Sequence, residues 1–345
     1  MKIFKDFDFK AQHTFGLEVR TKYWLEVADE DDLPRAIETA DELSGGQFMF
    51  LGGGSNVLFC GNYPGALIHL SFGGIQHSVL DHGQILVEAG AGVSWHELVR
   101  YTVERGWWGL ENLALIPGSV GAAPIQNIGA YGVEQGDVFE SLRGVPLNGP
   151  PSEYMKDQCA FAYRNSLFKQ HMKGKMVITR VRYRLHTEPH PQLAYKELKA
   201  FFDPTGQHDG RGLKPDQIAD KVAEIRRAKL PDPAVLGNAG SFFKNPVLHG
   251  DDADTFRSNF PNAPLFEVQG EDRNWKASAA WFIEQCGWKG HRRGSVGVSP
   301  GHALVLVHYG GGHGQDLWTL AQDIMRSVHD EFGVALEPEV NIINP

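Results

Sequence analysis

The sequence predicts an α+β fold of about two domains, and three observations support this expectation. A chain of 345 residues corresponds to about two domains at roughly 100–200 residues each. Segments with strand periodicity and segments with helix periodicity are mixed without the regular alternation of a doubly wound sheet. The 40 glycines and a hydrophobic content of 42% indicate a globular core with many tight turns or close backbone approaches.

Each predicted element rests on a repeat of apolar residues. In the first helix Leu33, Ala36 and Ala40 share one face, and in the strand at 175–185 Val177 and Val181 share the face opposite Arg180. We expect Ser94 and Glu97 to form a capping box where the second helix begins. Helices are predicted at 31–43, 94–105, 215–229, 278–288 and 315–332, and strands at 47–51, 66–71, 85–90, 138–146, 175–185, 303–307 and 334–343.

Composition excludes several classes of protein. A net charge of −9 and a pI near 5.9 argue against nucleic-acid or membrane-surface binding, which usually requires a basic face. The three cysteines are far apart and form no CxxC pair, so neither a zinc ribbon nor a disulfide framework is expected. No apolar run approaches the ~18 residues of a membrane span, and no secretory leader is recognisable. We therefore expect a cytoplasmic protein without membrane insertion.

Two glycine-rich segments are candidates for binding a cofactor. The loop GGGSN at 52–56 lacks the GK[ST] of a Walker A motif and the third glycine of a Rossmann fingerprint, so a plain glycine hairpin explains it equally well. The segment IPGSVGAAPIQNIGAYG at 116–132 carries no charge and offers polar groups at Ser119, Asn127 and Tyr131. Such a surface suits a large nucleotide cofactor, although a buried loop bridging two sheets is an alternative.

Several motifs then point to one family. They are LGGGSNVL, GLENLALIPGSVGAAPIQNIGAYGVE, FAYRNSLFK at 161–169, KLPDP, GNAGSFFKNP at 237–246 and LEPEV. In this order, from 13–19 to 336–340, they closely resemble the UDP-N-acetylenolpyruvoylglucosamine reductase (MurB) family, which makes UDP-N-acetylmuramate for peptidoglycan. The resemblance is to the longer subtype, which has an extra loop with a tyrosine that grips the substrate.

The resemblance implies a fold and two cofactors. It implies a PCMH-type FAD-binding fold of two subdomains, 1–72 with 335–345 and 73–230, plus a C-terminal α+β substrate-binding domain at 231–334. It also implies FAD as the bound flavin, NADPH as the reductant, a UDP-sugar as the substrate and a monomeric protein. The uncharged segment 116–132 would then lie against the flavin.

The resemblance also assigns roles to individual residues. Arg164 would hold the substrate carboxylate as negative charge develops, which suits a planar guanidinium. Ser241 would protonate C2 of the substrate, and Glu339 would act with Arg164 on the enolate. Tyr195, Lys229 and Asn245 would contact the substrate or NADPH. The expected FAD-binding residues are Gly53, Gly54, Ser55, Asn56, Ser119, Gly121, Ile128, Gly129 and Tyr131.

Alternatives to this interpretation remain at the level of sequence. Another FAD-dependent oxidoreductase of the same superfamily, with oxygen as acceptor, would share the glycine segments, and so would a non-catalytic flavin-binding module. The loop at 308–314 carries His308 and His313, but two histidines in a glycine loop make a weak metal site, and no metal is predicted. The arginines along strand 175–185 are more simply explained as a solvated face paired with acidic neighbours than as an anion site.

Overall fold

The computed structural model describes residues 1–206, 212–268 and 273–344. Among them, the α-helices are α1 Leu33–Ser44, α2 Trp95–Val103, α3 Gln135–Val138, α4 Lys196–Phe202, α5 Pro215–Lys229, α6 Gly250–Asn259, α7 Ala279–Gln285 and α8 Gly314–Phe332. The strands are β1 Lys2–Asp8, β2 Arg20–Val27, β3 Phe48–Leu51, β4 Val57–Phe59, β5 Tyr63–Leu70, β6 Ile75–Val79, β7 Gln84–Gly90, β8 Gly129–Ala130, β9 Val133–Glu134, β10 Phe139–Pro146, β11 Ser152–Met155, β12 Met176–His186, β13 Gly237–Asn238, β14 Val247–His249, β15 Leu265–Glu267, β16 Asn274–Ala277, β17 Arg292–Arg293, β18 Val296–Val298, β19 Leu306–His308 and β20 Asn341–Ile343.

The mixture of separate sheets and helices confirms the predicted α+β class. The chain divides into two compact units, each made of discontinuous segments. Unit 1 comprises Met1–Phe7, Thr21–Gly54 and Pro64–Arg227, and unit 2 comprises Asp8–Arg20, Ser55–Tyr63 and Ala228–Pro345. The finer division into two FAD-binding subdomains and a substrate-binding domain stays a prediction.

Unit 1 contains two larger sheets. The first has the strand order β1-β2-β5-β3, and α1 packs against it through buried Leu33, Ala36 and Ala40. The second is antiparallel, with the order β11-β10-β12-β7-β6, and its core includes residues of α2 and α5. Ile218 and Val222 of α5 are fully buried in this core, as their helical spacing predicts.

The outer face of β12 carries the arginines that could have formed an anion site. Arg180 and Arg182 both pair with Glu88 on the neighbouring strand β7, at 3.2 and 2.6 Å. Arg184 pairs with Glu140 of β10, the neighbour on the other side. Each arginine therefore has an acidic partner across the sheet, which confirms the solvated-face interpretation.

Unit 2 contains smaller sheets around two amphipathic helices. The order β13-β19-β18-β17 forms one sheet and β14-β16-β15 another, while β20 pairs in parallel with β4. Helices α7 and α8 share an aromatic cluster in which Phe282 contacts Phe256 and Phe332. The pairing of β20 with β4 brings residues 341–343 beside residues 57–59.

Two local predictions are wrong. The predicted strand 334–343 forms a strand only at 341–343, because Pro338 cannot donate a hydrogen bond and residues 337–339 make only a short bridge with 242–244. The Ser94 side chain makes no capping hydrogen bond, and Ser94 instead pairs through its backbone with Ser119. Strand β1, which we did not predict, lies at the edge of its sheet with mostly exposed side chains.

None of the helices among the described residues is long and apolar enough to cross a membrane.

Two buried histidines belong to the core of unit 2. His308 has both ring nitrogens bonded, Nδ1 to the carbonyl oxygen of Phe15 at 3.0 Å and Nε2 to the amide of Gly312 at 3.2 Å. Metal binding by His308 would therefore require these bonds to break. His13 is 5% exposed, its Nε2 lies 3.2 Å from the carbonyl oxygen of Leu17, and burial lowers its pKa from 6.5 to about 4.

The low pKa of His13 predicts a stability that falls in mild acid. Between pH 6.5 and 4 the imidazole of His13 is protonated in the unfolded chain but not in the folded chain. The free energy of unfolding is therefore highest above pH 6.5 and decreases as the pH falls below that value. The loss reaches at most about 3 kcal/mol near pH 4, at 1.36 kcal/mol per pKa unit.

Urea unfolding at pH 7 and at pH 4.5 measures this loss. The variant His13→Gln keeps a side-chain donor for Leu17 and does not titrate, so its free energy of unfolding should fall less with acid than that of the unmodified chain. Equal pH slopes for the two proteins would contradict the prediction.

Candidate functional site

The uncharged segment 116–132, called the wall segment here, is held against residues 91–95 by backbone hydrogen bonds. The amide of Trp95 donates to Gly118, and the amides of Val120 and Gly121 donate to residues 93 and 91, each at 2.9 Å. A side chain on Gly121 would lie 2.5 Å from Cβ of Ala91, so this glycine allows close packing within the protein. The wall segment is therefore a fixed surface of unit 1.

The glycine loop 52–56 meets the wall segment directly. A side chain on Gly53 would lie 2.9 Å from Cα of Gly118, and one on Gly52 would lie 2.7 Å from Oγ of Ser119. Both glycines are thus required for contact between the two glycine-rich segments. The loop also crosses a unit boundary, because Gly53 and Gly54 belong to unit 1 whereas Ser55 and Asn56 belong to unit 2.

Positive backbone φ angles at residues other than glycine cluster around the wall segment. Among the described residues, Leu115, Asn127 and Tyr131 have φ of 59°, 44° and 53°, and Ala160 and Arg164 have φ of 47° and 52°. Each such residue costs of the order of 1–3 kcal/mol, and this strain concentrates at functional sites. The cluster distinguishes this region from the rest of unit 1.

Arg164 lies in a tight turn beside the wall segment. The turn is closed by two backbone hydrogen bonds between Ala162 and Asn165, at 3.0 and 3.1 Å, with Tyr163 and Arg164 at its tip. Arg164 takes a left-handed conformation where glycine is usual. Its guanidinium Nη2 donates to the carbonyl oxygen of Gly129 at 2.6 Å, which directs the side chain toward the wall segment.

Tyr131 and Tyr195 form an aromatic pair at the end of the wall segment. Their rings are 4.8 Å apart in an edge-to-face arrangement. The Tyr131 hydroxyl accepts a hydrogen bond from the half-buried guanidinium of Arg226. Burial lowers the pKa of this guanidinium. Asn112 donates to the carbonyl oxygens of Tyr131 and Gln192, at 2.9 and 2.8 Å, and so links the wall segment to the loop that leads to Tyr195.

Ile128, within the wall segment, and Glu111, just before it in the chain, are both buried. Ile128 is 7% exposed, and both of its backbone groups bond within the chain, to Ala123 and Gln135. Glu111 is buried and accepts a hydrogen bond from the amide of Gly109 at 2.6 Å. Burial raises the pKa of Glu111 to about 7, because desolvation of the carboxylate outweighs its backbone hydrogen bonds.

In unit 2, Ser241 and Glu339 lie on neighbouring backbone segments. The amide of Glu339 donates to Phe242 at 2.7 Å, and Phe243 pairs with Pro338 in an antiparallel bridge. Asn56 holds the second segment, since its Nδ2 donates to the carbonyl oxygen of Glu339 at 3.1 Å and its own carbonyl accepts from Asn341. Ser241 and Glu339 are therefore carried by paired segments, of which Asn56 holds the one with Glu339.

Lys229 and Asn245 occupy two other places in unit 2. Lys229 lies close enough to His302 to lower the pKa of the imidazole, after the larger effect of burial. His302 Nδ1 accepts from the amide of Leu304 at 3.2 Å, which makes Nε2 the protonated nitrogen. Asn245 Oδ1 accepts from the amide of Ala279 at 3.0 Å, at the start of α7.

The structure therefore groups the predicted site residues within each unit. In unit 1, Arg164 contacts Gly129 and Tyr131 contacts Tyr195, and in unit 2 Ser241 neighbours the Glu339 segment. Sequence reasoning missed Glu111, Asn112, Arg226 and His302, and it named Asn127 only as one of several polar residues in the uncharged wall segment.

Comparison with known proteins gives the family. The profile of the FAD binding domain matches residues 21–149, and the profile of the UDP-N-acetylenolpyruvoylglucosamine reductase C-terminal domain matches residues 232–343. The chain is 43% identical to the UDP-N-acetylenolpyruvoylglucosamine reductase of Amoebophilus asiaticus, over 99% of this chain and 100% of that relative. The chain belongs to the UDP-N-acetylenolpyruvoylglucosamine reductase family.

Further members of the reductase family agree in sequence and fold. The UDP-N-acetylenolpyruvoylglucosamine reductase of Chromobacterium violaceum is 40% identical and is covered to 98%. The crystal structure of the reductase (MurB) from Thermus caldophilus matches with a TM-score of 0.65 at 23% identity, over 99% of this chain and 98% of that one. The predicted α+β fold with a PCMH-type FAD-binding part is confirmed.

Proposed function

We propose that this member of the reductase family reduces the enolpyruvyl double bond of UDP-N-acetylenolpyruvoylglucosamine with FAD and NADPH, giving UDP-N-acetylmuramate for peptidoglycan synthesis. The observation that carries the proposal is the 43% identity with such a reductase over 99% of the chain. The strained turn that directs Arg164 to the wall segment supports it.

The wall segment fits a flavin. Residues 116–132 carry no charged side chain, and their half-exposed part, Gly129 to Tyr131, offers a tyrosine and backbone groups to a large ring system with polar edges. Bound there, FAD would supply hydride transfer from NADPH to C3 of the substrate, which is redox chemistry that side chains do not supply. The residues proposed to hold FAD are Gly53, Gly54, Ser55, Asn56, Ser119, Gly121, Ile128, Gly129 and Tyr131.

Three side chains are proposed to act on the substrate. Hydride addition at C3 places negative charge on C2 and the carboxylate, and the guanidinium of Arg164 would hold that charge as it develops. The hydroxyl of Ser241 would then deliver a proton to C2, with Glu339 stabilising the same enolate together with Arg164. The paired segments of unit 2 support a joint action of Ser241 and Glu339.

The remaining contacts concern the UDP-sugar. Lys229 is proposed to bind its phosphates, with the neutral His302 beside the ammonium as an additional donor through Nε2. Asn245 would contact the substrate through its amide nitrogen, because its oxygen is bonded to Ala279. Tyr195 would grip the substrate as in the longer subtype of the family, and its edge-to-face pair with Tyr131 supports a place at the end of the wall segment.

The setting of the enzyme is also part of the proposal. We infer a monomer in the cytoplasm that binds neither nucleic acid nor a membrane surface, and the net charge of −9 supports the last two points alone.

The visible absorption spectrum of the purified protein tests the function directly. We expect a yellow protein that bleaches when NADPH is added and regains its colour anaerobically when UDP-N-acetylenolpyruvoylglucosamine is added. A colourless protein that does not take up added FAD would contradict the flavin assignment. A protein that bleaches but recovers only with oxygen would instead be an oxidase of the same superfamily.

A further inference from the structure

The side chain of Asn127 makes four hydrogen bonds in the interior of unit 1. Its Nδ2 donates to Oε2 of Glu134 at 2.5 Å and to the carbonyl oxygen of Ala162 at 3.2 Å. Its Oδ1 accepts from Nε2 of Gln135 and from the amide of Gly136, both at 3.1 Å. The residue is 1% exposed, so every donor and acceptor position of the amide is used inside the protein.

The two donor bonds lead to the two structures that hold Arg164. Ala162 is the first residue of the turn whose tip carries Arg164. Glu134 pairs with Gly129 across β8 and β9, and the carbonyl oxygen of Gly129 accepts from the guanidinium at 2.6 Å. The turn at residues 162–165 is called the arginine turn. The side-chain amide of Asn127 therefore joins the first residue of this turn to the β8–β9 pair, whose Gly129 the guanidinium contacts.

The packing around Gly129 makes this connection stiff. A side chain on Gly129 would lie 2.8 Å from Cγ of Glu134 and 3.2 Å from Nη1 of Arg164. Glu134 and Arg164 thus lie against the same face of Gly129. A shift of Glu134, or of Ala162 relative to the wall segment, would be transmitted to the guanidinium through contacts with no spare room.

We propose that Asn127 is a positioning residue for Arg164. The inference rests on the proposed role of Arg164 and deepens it. The amide fixes the distance between the arginine turn and the wall segment, and so fixes where the guanidinium stands when charge develops on the substrate carboxylate. Asn127 does not need to contact the substrate for this effect.

Asn127→Asp removes the connection with little change of shape. A carboxylate oxygen would replace the amide nitrogen and face two acceptors, the Glu134 carboxylate and the Ala162 carbonyl, so both bonds would be lost. We expect the oxidation of the reduced flavin by saturating substrate to slow by ~10–10²-fold, as for a misplaced catalytic group. The reduction of the flavin by NADPH should change by less than about threefold, because Arg164 has no part in it.

A double-mutant cycle separates positioning from general damage. Stopped-flow rates of both half-reactions are measured for the unmodified enzyme, Asn127→Asp, Arg164→Ala and the double variant, together with the substrate dissociation constant and the melting temperature. If Asn127 acts through Arg164, Asn127→Asp should add no further slowing to Arg164→Ala. The exposed Asn62, which accepts from the amide of Arg20, supplies the matched control Asn62→Asp with unchanged rates.

Each contrary outcome identifies what fails. If Arg164→Ala is slow and Asn127→Asp slows the reaction equally in both backgrounds, the positioning role is wrong and the catalytic role of Arg164 stands. If Arg164→Ala is as fast as the unmodified enzyme, the proposed role of Arg164 fails, and the inference fails with it. Should Asn127→Asp not retain FAD, Asn127→Ser replaces it in the same cycle, with the same expectation of no added slowing.

Discussion

Replacement of Arg164 with alanine should slow the reduction of the enolpyruvyl substrate by ~10²–10³-fold, the loss typical of one donor to a developing oxyanion. The guanidinium is fixed by its 2.6 Å bond to Gly129 and by a turn that keeps φ at 52°. A side chain held in this way gives up little freedom when negative charge develops on the substrate, so its loss should affect kcat more than KM. Rates of substrate reduction at saturating concentration measure the effect.

Two comparisons make the Arg164 prediction specific. Arg164→Lys keeps the charge without the planar fork, so its rate should lie between those of the arginine and alanine enzymes. Arg180, which pairs with Glu88 on the outer face of β12, gives the control Arg180→Ala with an unchanged rate. A rate for Arg164→Ala within about threefold of that of the unmodified enzyme would contradict the catalytic role.

The backbone of Arg164 predicts an unusual stability result. Glycine adopts a left-handed conformation without the ~1–2 kcal/mol that an L-residue costs there. Arg164→Gly should therefore unfold with a free energy about 1 kcal/mol higher than Arg164→Ala, although both lack the same side chain. Urea unfolding of the two variants makes the comparison, and a less stable glycine variant would argue against the strained turn.

Replacement of Ser241 with alanine should separate the two half-reactions. Reduction of the flavin by NADPH should survive, while reduction of the substrate should drop by ~10²-fold or more, the loss expected for a missing proton donor. The reason is that a substrate enolate can form but cannot be protonated at C2 without the hydroxyl. Stopped-flow measurement of each half-reaction, together with the amount of deuterium that enters C2 when the reaction is run in deuterated water, reports the step that fails.

A control and a rescue accompany the Ser241 prediction. Ser258 lies on the exposed side of α6, where its hydroxyl donates to Asp254, and Ser258→Ala should leave both rates unchanged. Ser241→Cys retains a proton donor at the same place and should recover part of the activity. If Ser241→Ala leaves both half-reactions at full rate, Ser241 is not the donor.

The fold class and five of the eight helices among the described residues were predictable from apolar periodicity, whereas most of the strands, including the eight-residue β2, were not predicted. Helix α5 matches its predicted bounds of 215–229, and β12 exposes the predicted arginine face. The strand predicted from periodicity at 334–343 was wrong over most of its length. Residues 337–339 there make backbone hydrogen bonds with residues 242–244, almost a hundred residues earlier in the chain. A propensity calculated from neighbouring residues contains no information on such a partner.

The candidate site was predictable only in part. Motifs supplied Arg164, Ser241 and Glu339 as candidates, because each stands in a distinctive short stretch of sequence, and their roles stay predictions. The groups that bond the backbone around these candidates, such as Asn127 and Asn56, depend on distances between segments far apart in the chain. The cluster of positive φ angles was equally hidden, because Leu115, Tyr131 and Arg164 are residues that normally avoid this conformation.

The parallel pairing of β20 with β4 has a consequence for the synthesis of the protein. Residues 57–59 leave the ribosome about 280 residues before their partners at 341–343. At 5–20 residues per second, strand β4 waits on the order of 15–60 seconds with an open edge. During that time the apolar residues Val57, Leu58 and Phe59 are available to chaperones and to other nascent chains. The yield of active enzyme should therefore depend on translation rate and temperature more steeply than its equilibrium stability does.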